Sequence, residues 1–438
     1  MRRPADRALR LRHQATARRS RWALSLLQPA DPGHLVVNEL LSLLLCLVSW
    51  PYAGYGKRDA GCVQIRRIPH LASRIPLDSI FDPVVLGGIR SGIYPGAVLA
   101  VGRHDTILFA KGYGRLTWSA KSPAVSVDST FWDVASLTKV VATTPALMLL
   151  VEQGKVALDS PVVRYLPEFN SPGTSSITVR HLLTHTSGLR ATLPLREAPD
   201  SAAALRMVLT TVPVVAPGTR MVYSDLNAIL LGEIVRHVSG QTLDAYVTRA
   251  VYAPLGLDQQ MLFRPLKRLE PRIAPTNLWR GHPIAGVVND PSAGKLGGVS
   301  GNAGVFATAR GLARFAQFML NEGTLPDHPR IVKKETVHQF TQIAVPARRG
   351  VSARTLGWEA LPTGEETSSA GTLFGPHSYG HTGWTGTSLW IDPDRDLFVL
   401  LLTNRAYDPR VRGSFTKLKE VRGCVADAAA RAVDALGR

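Results

Sequence analysis

Cysteine and acidic residues are scarce in this 438-residue chain, and several loops that announce cofactor chemistry are missing. Three cysteines, Cys46, Cys62 and Cys424, form an odd set without zinc spacing. Neither a disulfide framework nor a metal site is expected from them, and they leave the redox compartment open. There is no Walker loop, no dinucleotide-binding glycine fingerprint and no Gly-x-Ser-x-Gly elbow, so nucleotide cofactors and an α/β-hydrolase architecture are not expected. His181/His185 and His377/His381 are each spaced four apart but have no glutamate between them, and zinc is not expected there either. His185 is expected to cap or pack beside the turn at Ser187-Gly188.

Only 33 Asp and Glu face 51 Lys and Arg, a formal charge of +18. Half of that excess, +9, falls within residues 1–75, and the other +9 is spread over the remaining 363 residues. No basic run is interleaved with aromatics, so no nucleic-acid partner is expected. Residues 1–22 carry eight arginines and one acid, and an apolar run of eleven, Leu40–Trp50, follows. That run is too short to span a bilayer and suits the core of a signal peptide, with small residues in Tyr52-Ala53-Gly54 for cleavage. The alternative is a buried helix of the folded domain. The basic arm is long for a signal peptide, which points to an extended leader or an early start site. No apolar core closely follows Arg18-Arg19, so twin-arginine export is not favoured. The expectation is an exported protein, periplasmic or associated with the cell envelope, with membrane association through the leader only.

From residue 79 the pattern becomes regular. Residues 79–91 read as an amphipathic helix, and 97–102 with 106–113 as a hairpin. Residues 137–152 read as one long apolar helix, followed by helices at 226–239, 243–252 and 311–321. Strands return at 380–382, 387–392 and 397–403, and a helix at 424–436 closes the chain. Strands at both ends with helices between exclude an alternating parallel fold. They predict an α+β architecture: an antiparallel sheet flanked by helices, with a mostly helical domain inserted. The division expected is a leader and linker over 1–78 and a domain over 79–438. Its sheet lobe comes from about 79–130 and 305–438, and its helical lobe from about 137–300. A cleft between lobes is the expected substrate site.

Three short motifs carry the chemistry. Ser136-Leu137-Thr138-Lys139 places a hydroxyl and an amine nearly one helical turn apart, on one face. Burial lowers the proton affinity of such a lysine and equips it to accept the serine proton. The same spacing at Ser292/Lys295 and Ser414/Lys417 lacks a comparable apolar helix. Tyr223-Ser224-Asp225 adds a phenol able to shuttle a proton between serine and leaving group. Asp225 or Asn227 could orient Lys139 or a substrate amide; the bland reading is a helix N-cap at Ser224 or Asp225. His381-Thr382-Gly383 lies on a late strand, where Gly383 allows close approach of a substrate backbone. The N–H of Trp384, with that of Ser136, could form an oxyanion hole. By itself, this tripeptide is more commonly an edge-strand turn.

The ordered trio resembles the signature of the class C β-lactamase, DD-peptidase and related esterase family, whose general form is Ser-x-x-Lys, Ser-Asp-Asn and Lys-Thr-Gly. Flanking phrases resemble it too: Pro95-Gly96-Ala97, the stretch Leu182 to Leu189, Pro254-Leu255-Gly256-Leu257 and Gly304-Val305-Phe306. The likeness covers residues 79–437. It implies a β-lactamase/transpeptidase-like fold, an acyl-enzyme on Ser136, proton transfer shared by Lys139 and Tyr223, and an oxyanion held by Ser136 and Trp384. It implies no metal or cofactor and a small-molecule or peptidoglycan-derived peptide substrate. Two departures matter. Asp225 replaces the usual asparagine and adds charge that works to hold Lys139 protonated. His381 replaces lysine and, only partly charged near neutrality, grips a β-lactam carboxylate less firmly. No Glu-x-x-Leu-Asn deacylation motif lies between Tyr223 and His381. D-alanyl-D-alanine carboxypeptidase-like or small-ester hydrolysis is therefore expected ahead of efficient β-lactam hydrolysis. A silent protein that binds cell-wall peptides is the alternative from another class.

Overall fold

The computed structural model describes residues 76–348, 353–361 and 368–436. The leader, its apolar run and the cysteines Cys46 and Cys62 lie outside the described residues. The described chain opens with helix α1 (Leu77–Arg90) and the strands β1 (Gly96–Gly102) and β2 (Ile107–Gly114). After β3 (Phe131–Asp133) come α2 (Thr144–Glu152), α3 (Val179–Leu183), α4 (Ser201–Leu209), α5 (Asp225–Ser239) and α6 (Leu243–Val247). Next are β4 (Met261–Phe263), the hairpin β5 (Asn277–Trp279) and β6 (His282–Ile284), α7 (Pro291–Lys295) and β7 (Val305–Thr308). The last part holds α8 (Ala309–Leu320), α9 (Lys334–Thr341), β8 (Glu359–Ala360), β9 (Tyr379–Thr382), β10 (Ser388–Asp392), β11 (Leu397–Thr403) and α10 (Ser414–Leu436).

The main sheet runs β2-β1-β11-β10-β9-β8, antiparallel throughout. β11 enters between β1 and β10, setting Ala97 opposite Thr403 and Val101 opposite Val399. Both central strands are apolar on both faces because each face meets helices. Ala97, Leu99 and Val101 with Leu397, Val399 and Leu401 pack against Phe81 and Val85 of α1 and Leu418, Val425 and Ala429 of α10. Their alternates Val98, Ala100, Phe398, Leu400 and Leu402 join the larger core, which includes residues of α2, α5 and α8. A period of two on a strand sends successive side chains to opposite faces, so one strand serves two cores.

The helix expected over 137–152 is three conformations in succession. Ala135–Leu137 is a 3-10 turn, Lys139–Thr143 a π turn, and the α-helix begins only at Thr144. Pro145 has no N–H, so the Val141 carbonyl loses its usual partner four residues on. The Tyr252 hydroxyl donates to that carbonyl instead, at 2.8 Å. The widened turn is thus held by a side chain from a distant segment. This stretch is apolar enough by composition to cross a membrane, yet here it lies within the core. Two further differences concern length. The strands β3, β7 and β4 form a second sheet of three- and four-residue segments, too short to show a period. α10 begins at Ser414 rather than 424; Lys417, Lys419 and Glu420 interrupt its apolar stripe and hide its first turns from the sequence pattern. Cys424 within it is disulfide-bonded, which is compatible with an odd count that gives no disulfide framework.

Tyr252→Phe leaves the buried Val141 carbonyl without a donor. The expected cost is about 1–3 kcal/mol, read as a lower urea midpoint with an unchanged slope.

Candidate active site

β3 delivers the chain to Ser136 through a constrained elbow. Ala135 holds φ at 49°, a region that disfavours a side chain, and sits just before Ser136. The buried Asp133 carboxylate holds that bend by accepting the N–H groups of Ala135 (2.9 Å) and Asn289 (2.6 Å). Burial pushes the Asp133 acid up to about 6, against the pull of those two N–H groups, with the charge of Asp290 adding to the rise. Thr138 ties the other side, its hydroxyl accepting the N–H of Val305 at 3.1 Å.

Lys139 lies one turn on and is buried. Its ammonium donates to Ser136 Oγ at 3.0 Å, to Asp225 Oδ1 at 2.8 Å and to the Asn302 carbonyl at 3.0 Å. Burial alone would lower the proton affinity of this amine. The charge and hydrogen bond of Asp225, with further support from Tyr223, outweigh it and hold the lysine above its ordinary value. The expectation that desolvation makes Lys139 a neutral base is therefore corrected: it is an ammonium with its donors engaged. Asn302 reaches the site because Ser300 and Asp290 fix its side-chain amide.

The Tyr223 ring stands 5.0 Å from the Lys139 ammonium, between the rings of His185 (4.7 Å) and His381 (5.8 Å). The Arg354 guanidinium lies 5.6 Å from the same ring. His185 adopts a left-handed backbone at φ 57° and is buried. Its Nδ1 accepts the Ser224 N–H at 3.2 Å and contacts Asn227 Nδ2 at the same distance. The Asn227 carbonyl oxygen accepts the Ser187 hydroxyl at 2.6 Å. Asn227 is thus sealed in a network behind Tyr223, and the idea that it orients Lys139 or substrate is corrected; Asp225 alone of the pair touches the lysine. Ser224 does stand at the N-cap position of α5, but its hydroxyl donates to the Arg190 carbonyl.

His381 is buried, and its Nδ1 donates to the carbonyl of Thr382 at 2.8 Å. Its Nε2 is buried without a hydrogen-bond partner among the described residues. Burial, then the positive charges of Arg354 and Lys139, holds His381 well below its ordinary value, and the same causes act on His185. Both rings are neutral near pH 7, which corrects the expectation of a partly charged His381. Thr382 ends β9, and the turn to β10 follows. Gly383 and Gly386 use their N–H groups inside the turn, on the Thr387 and Gly383 carbonyls. The N–H groups of Trp384 and Ser136 have no acceptor among the described residues. Thr385 and Thr387 donate their hydroxyls to the carbonyls of Asp133 (2.7 Å) and Val134 (2.9 Å), tying this turn to the elbow before Ser136. A Cβ on Gly383 would come within 2.5 Å of the Val134 carbonyl oxygen and closer still to the Thr387 hydroxyl. Its glycine serves this internal approach, where a substrate strand was expected.

The structure therefore gathers Ser136, Lys139, Tyr223, Asp225 and His381 at one place and adds His185, Asn302 and Arg354, which motif spacing does not reveal. Only the Gly-rich stretch around Asn302 hints at a tight loop; nothing local separates Arg354 from the other arginines. The rival pairs lead elsewhere: Lys295 binds the Ala198 carbonyl and Ser414 contacts Arg405.

Because His381 is held below the unfolded value of about 6.5, the unfolded chain binds the extra proton first as pH falls. Stability is lost from about pH 6.5 downward. The fall in unfolding free energy between pH 7 and 5 is expected to be shallower in His381→Asn than in the wild type; equal slopes would count against a buried neutral ring.

The Beta-lactamase family profile matches residues 81–421. An Escherichia coli (strain K12) protein named "Putative D-alanyl-D-alanine carboxypeptidase" is 32% identical over 351 residues, covering 72% of this chain and 80% of that protein. Among solved structures, EstCE1, titled a hydrolase with promiscuous acyltransferase activity, superposes with a TM-score of 0.64 at 23% identity, over 80% of this chain and 98% of that one. A penicillin-binding protein homolog from Caulobacter crescentus gives a TM-score of 0.64 at 20% identity, over 80% and 97%. These two show the shared fold. With the family profile spanning most of the chain and the relative in E. coli, they lead to one conclusion: the chain belongs to the Beta-lactamase family of serine hydrolases.

Proposed function

We propose that Ser136 is the nucleophile of an acyl-enzyme reaction on an amide or ester next to a carboxylate, as in a D-alanyl-D-alanine carboxypeptidase. The observation that carries this reading is the Lys139 ammonium, bound to both Ser136 and Asp225 beside Tyr223. Since Lys139 already donates to Ser136 Oγ, the serine's own proton is free to leave in another direction. Tyr223 receives it while passing its phenol proton to the departing amine or alkoxide. Ser136 Oγ bonds to the carbonyl carbon as the bond to the leaving group breaks, and Lys139 keeps its charge throughout. Water then attacks the acyl carbon, and its proton returns to Ser136 by the same phenol. The N–H groups of Ser136 and Trp384 hold the oxyanion in both steps.

Arg354 favours an anionic substrate. Its side chain is buried, and its Nε and Nη1 have no hydrogen-bond partner among the described residues. With His381 neutral and Lys139 paired to Asp225, this guanidinium is the cation best suited to a carboxylate. The name of the E. coli relative supports the same substrate class.

Export remains part of the reading. A disulfide-bonded Cys424 suits an oxidising compartment, and the leader alone would carry any membrane contact.

Covalent labelling by a fluorescent penicillin or a fluorophosphonate is expected in the wild type and absent in Ser136→Ala; labelling that persists would move the nucleophile elsewhere. Arg354→Ala is expected to slow hydrolysis of a D-Ala-D-Ala peptide roughly 10- to 100-fold while sparing neutral p-nitrophenyl esters. A dominant nitrocefin rate in the wild type would overturn the peptidase assignment. In a fractionated Gram-negative host, the protein is expected outside the cytoplasm with an N-terminus near Gly54; cytoplasmic protein that keeps Met1 would refute export.

A further inference from the structure

The turn that carries the proposed oxyanion donor is backed by two buried arginines that the reaction does not otherwise use. Arg422 projects from α10, which packs on the face of the main sheet formed by the α1 core. Its Nη2 donates to the carbonyls of Gly383 (3.2 Å) and Thr387 (2.7 Å). Arg405, just after β11, donates through Nη2 to the carbonyl of Trp384 and through Nη1 to Ser414 Oγ at 3.5 Å. Its guanidinium lies 4.8 Å from the Trp384 ring and 5.4 Å from that of Phe415. Three carbonyls of one short turn thus point at guanidinium groups.

A peptide plane is trans, so its carbonyl and its N–H point in opposite directions. The Gly383 carbonyl and the Trp384 N–H belong to the same plane. Drawing that carbonyl back to Arg422 aims the N–H forward, where the threonine ties bring the turn against the Ser136 elbow. Gly383 has no Cβ to resist rotation of that plane, so a flip is opposed by the two hydrogen bonds to its carbonyl, one from the Gly386 N–H within the turn and the charged one from Arg422. A flipped peptide would present a carbonyl to a developing negative charge. A charged donor on the carbonyl also polarises the whole peptide and strengthens the N–H at its other end.

We infer that Arg422 is a positioning residue for catalysis: it fixes and polarises the Gly383–Trp384 peptide so that its N–H serves the oxyanion, with Arg405 securing the next carbonyl. This rests on the acyl-enzyme reading given above. Burying a cation whose hydrogen bonds go to carbonyls instead of a carboxylate is unfavourable. Consistent with that, burial and the neighbouring Arg405 push Arg422 down to about 9, with Glu359 opposing the fall through space. Such a placement calls for a gain elsewhere, and the oxyanion step supplies one.

Two variants separate charge from hydrogen bonding. Arg422→Gln keeps a neutral donor and Arg422→Lys keeps the charge. Each is checked for folding by circular dichroism, and its active sites are counted by acylation with a fluorescent penicillin. Per active site, the expected kcat falls about 100-fold in Arg422→Gln and about 10-fold in Arg422→Lys, with KM nearly unchanged. The Kd for a phenylboronic acid, which mimics the tetrahedral oxyanion, is expected to weaken in the same proportion as kcat. Unchanged kcat and boronate affinity in either folded variant would overturn the inference. So would a loss explained wholly by fewer active sites, or a failure of both variants to fold, since Arg422 would then be a core residue alone. A wild type that cannot be acylated would instead sink the acyl-enzyme reading, leaving the two failures distinct.

Discussion

An ammonium can donate three hydrogen bonds, and the site depends on where those of Lys139 go. They reach Ser136 on its own turn, Asp225 at the head of α5, and the Asn302 carbonyl in the loop before β7. Segments 86 and 163 residues from Lys139 are thereby fixed around one buried charge. A neutral amine would hold them less firmly, and a charged one without Asp225 would be costly to bury. The carboxylate resolves that conflict. Asp225 thus favours the charged form of the lysine that organises the cluster, and in the proposed reaction proton transfer falls to the neighbouring phenol.

A second constraint joins the sheet to this cluster. Thr385 and Thr387 bind the carbonyls of Asp133 and Val134, which ties the turn after β9 to the elbow after β3. The Val134 carbonyl accepts the Leu137 N–H as well, so the Thr387 hydroxyl adds a second donor to it. The glycine at 383 is required for the same contact, since any side chain there would strike Val134 and Thr387. Geometry around Ser136 is set by short polar ties within the protein.

What the sequence reveals and what it hides follow from distance along the chain. Ser136 and Lys139 are three residues apart, so a single turn brings them together and the pairing can be read locally. The antiparallel sheet is legible because β1, β10 and β11 carry long apolar runs at opposite ends of the chain. Tyr223, Asp225 and His381 emerge through a likeness to known motifs, since nothing in their spacing alone selects them. Asn227, only two residues from Asp225, turns the other way along α5 into the network of His185 and Ser187, an outcome set by tertiary packing. Arg354 and Arg422 look like any other arginine until burial marks them. The π turn before α2 is half legible: Pro145 announces a missing donor, but the identity of the replacement, Tyr252, comes from the folded core.

The placement of β11 has a consequence for how the protein is made. Its pairing of Ala97 with Thr403 closes the centre of the sheet across more than three hundred residues, so the early β1–β2 hairpin leaves the inner edge of β1 unpaired until the ribosome has almost finished. Contacts of such long sequence separation form late and slowly. Maturation of this molecule is therefore an event of the completed polypeptide, and a shortened product lacking its final strand and helix would be left with an open sheet and an unsupported catalytic turn.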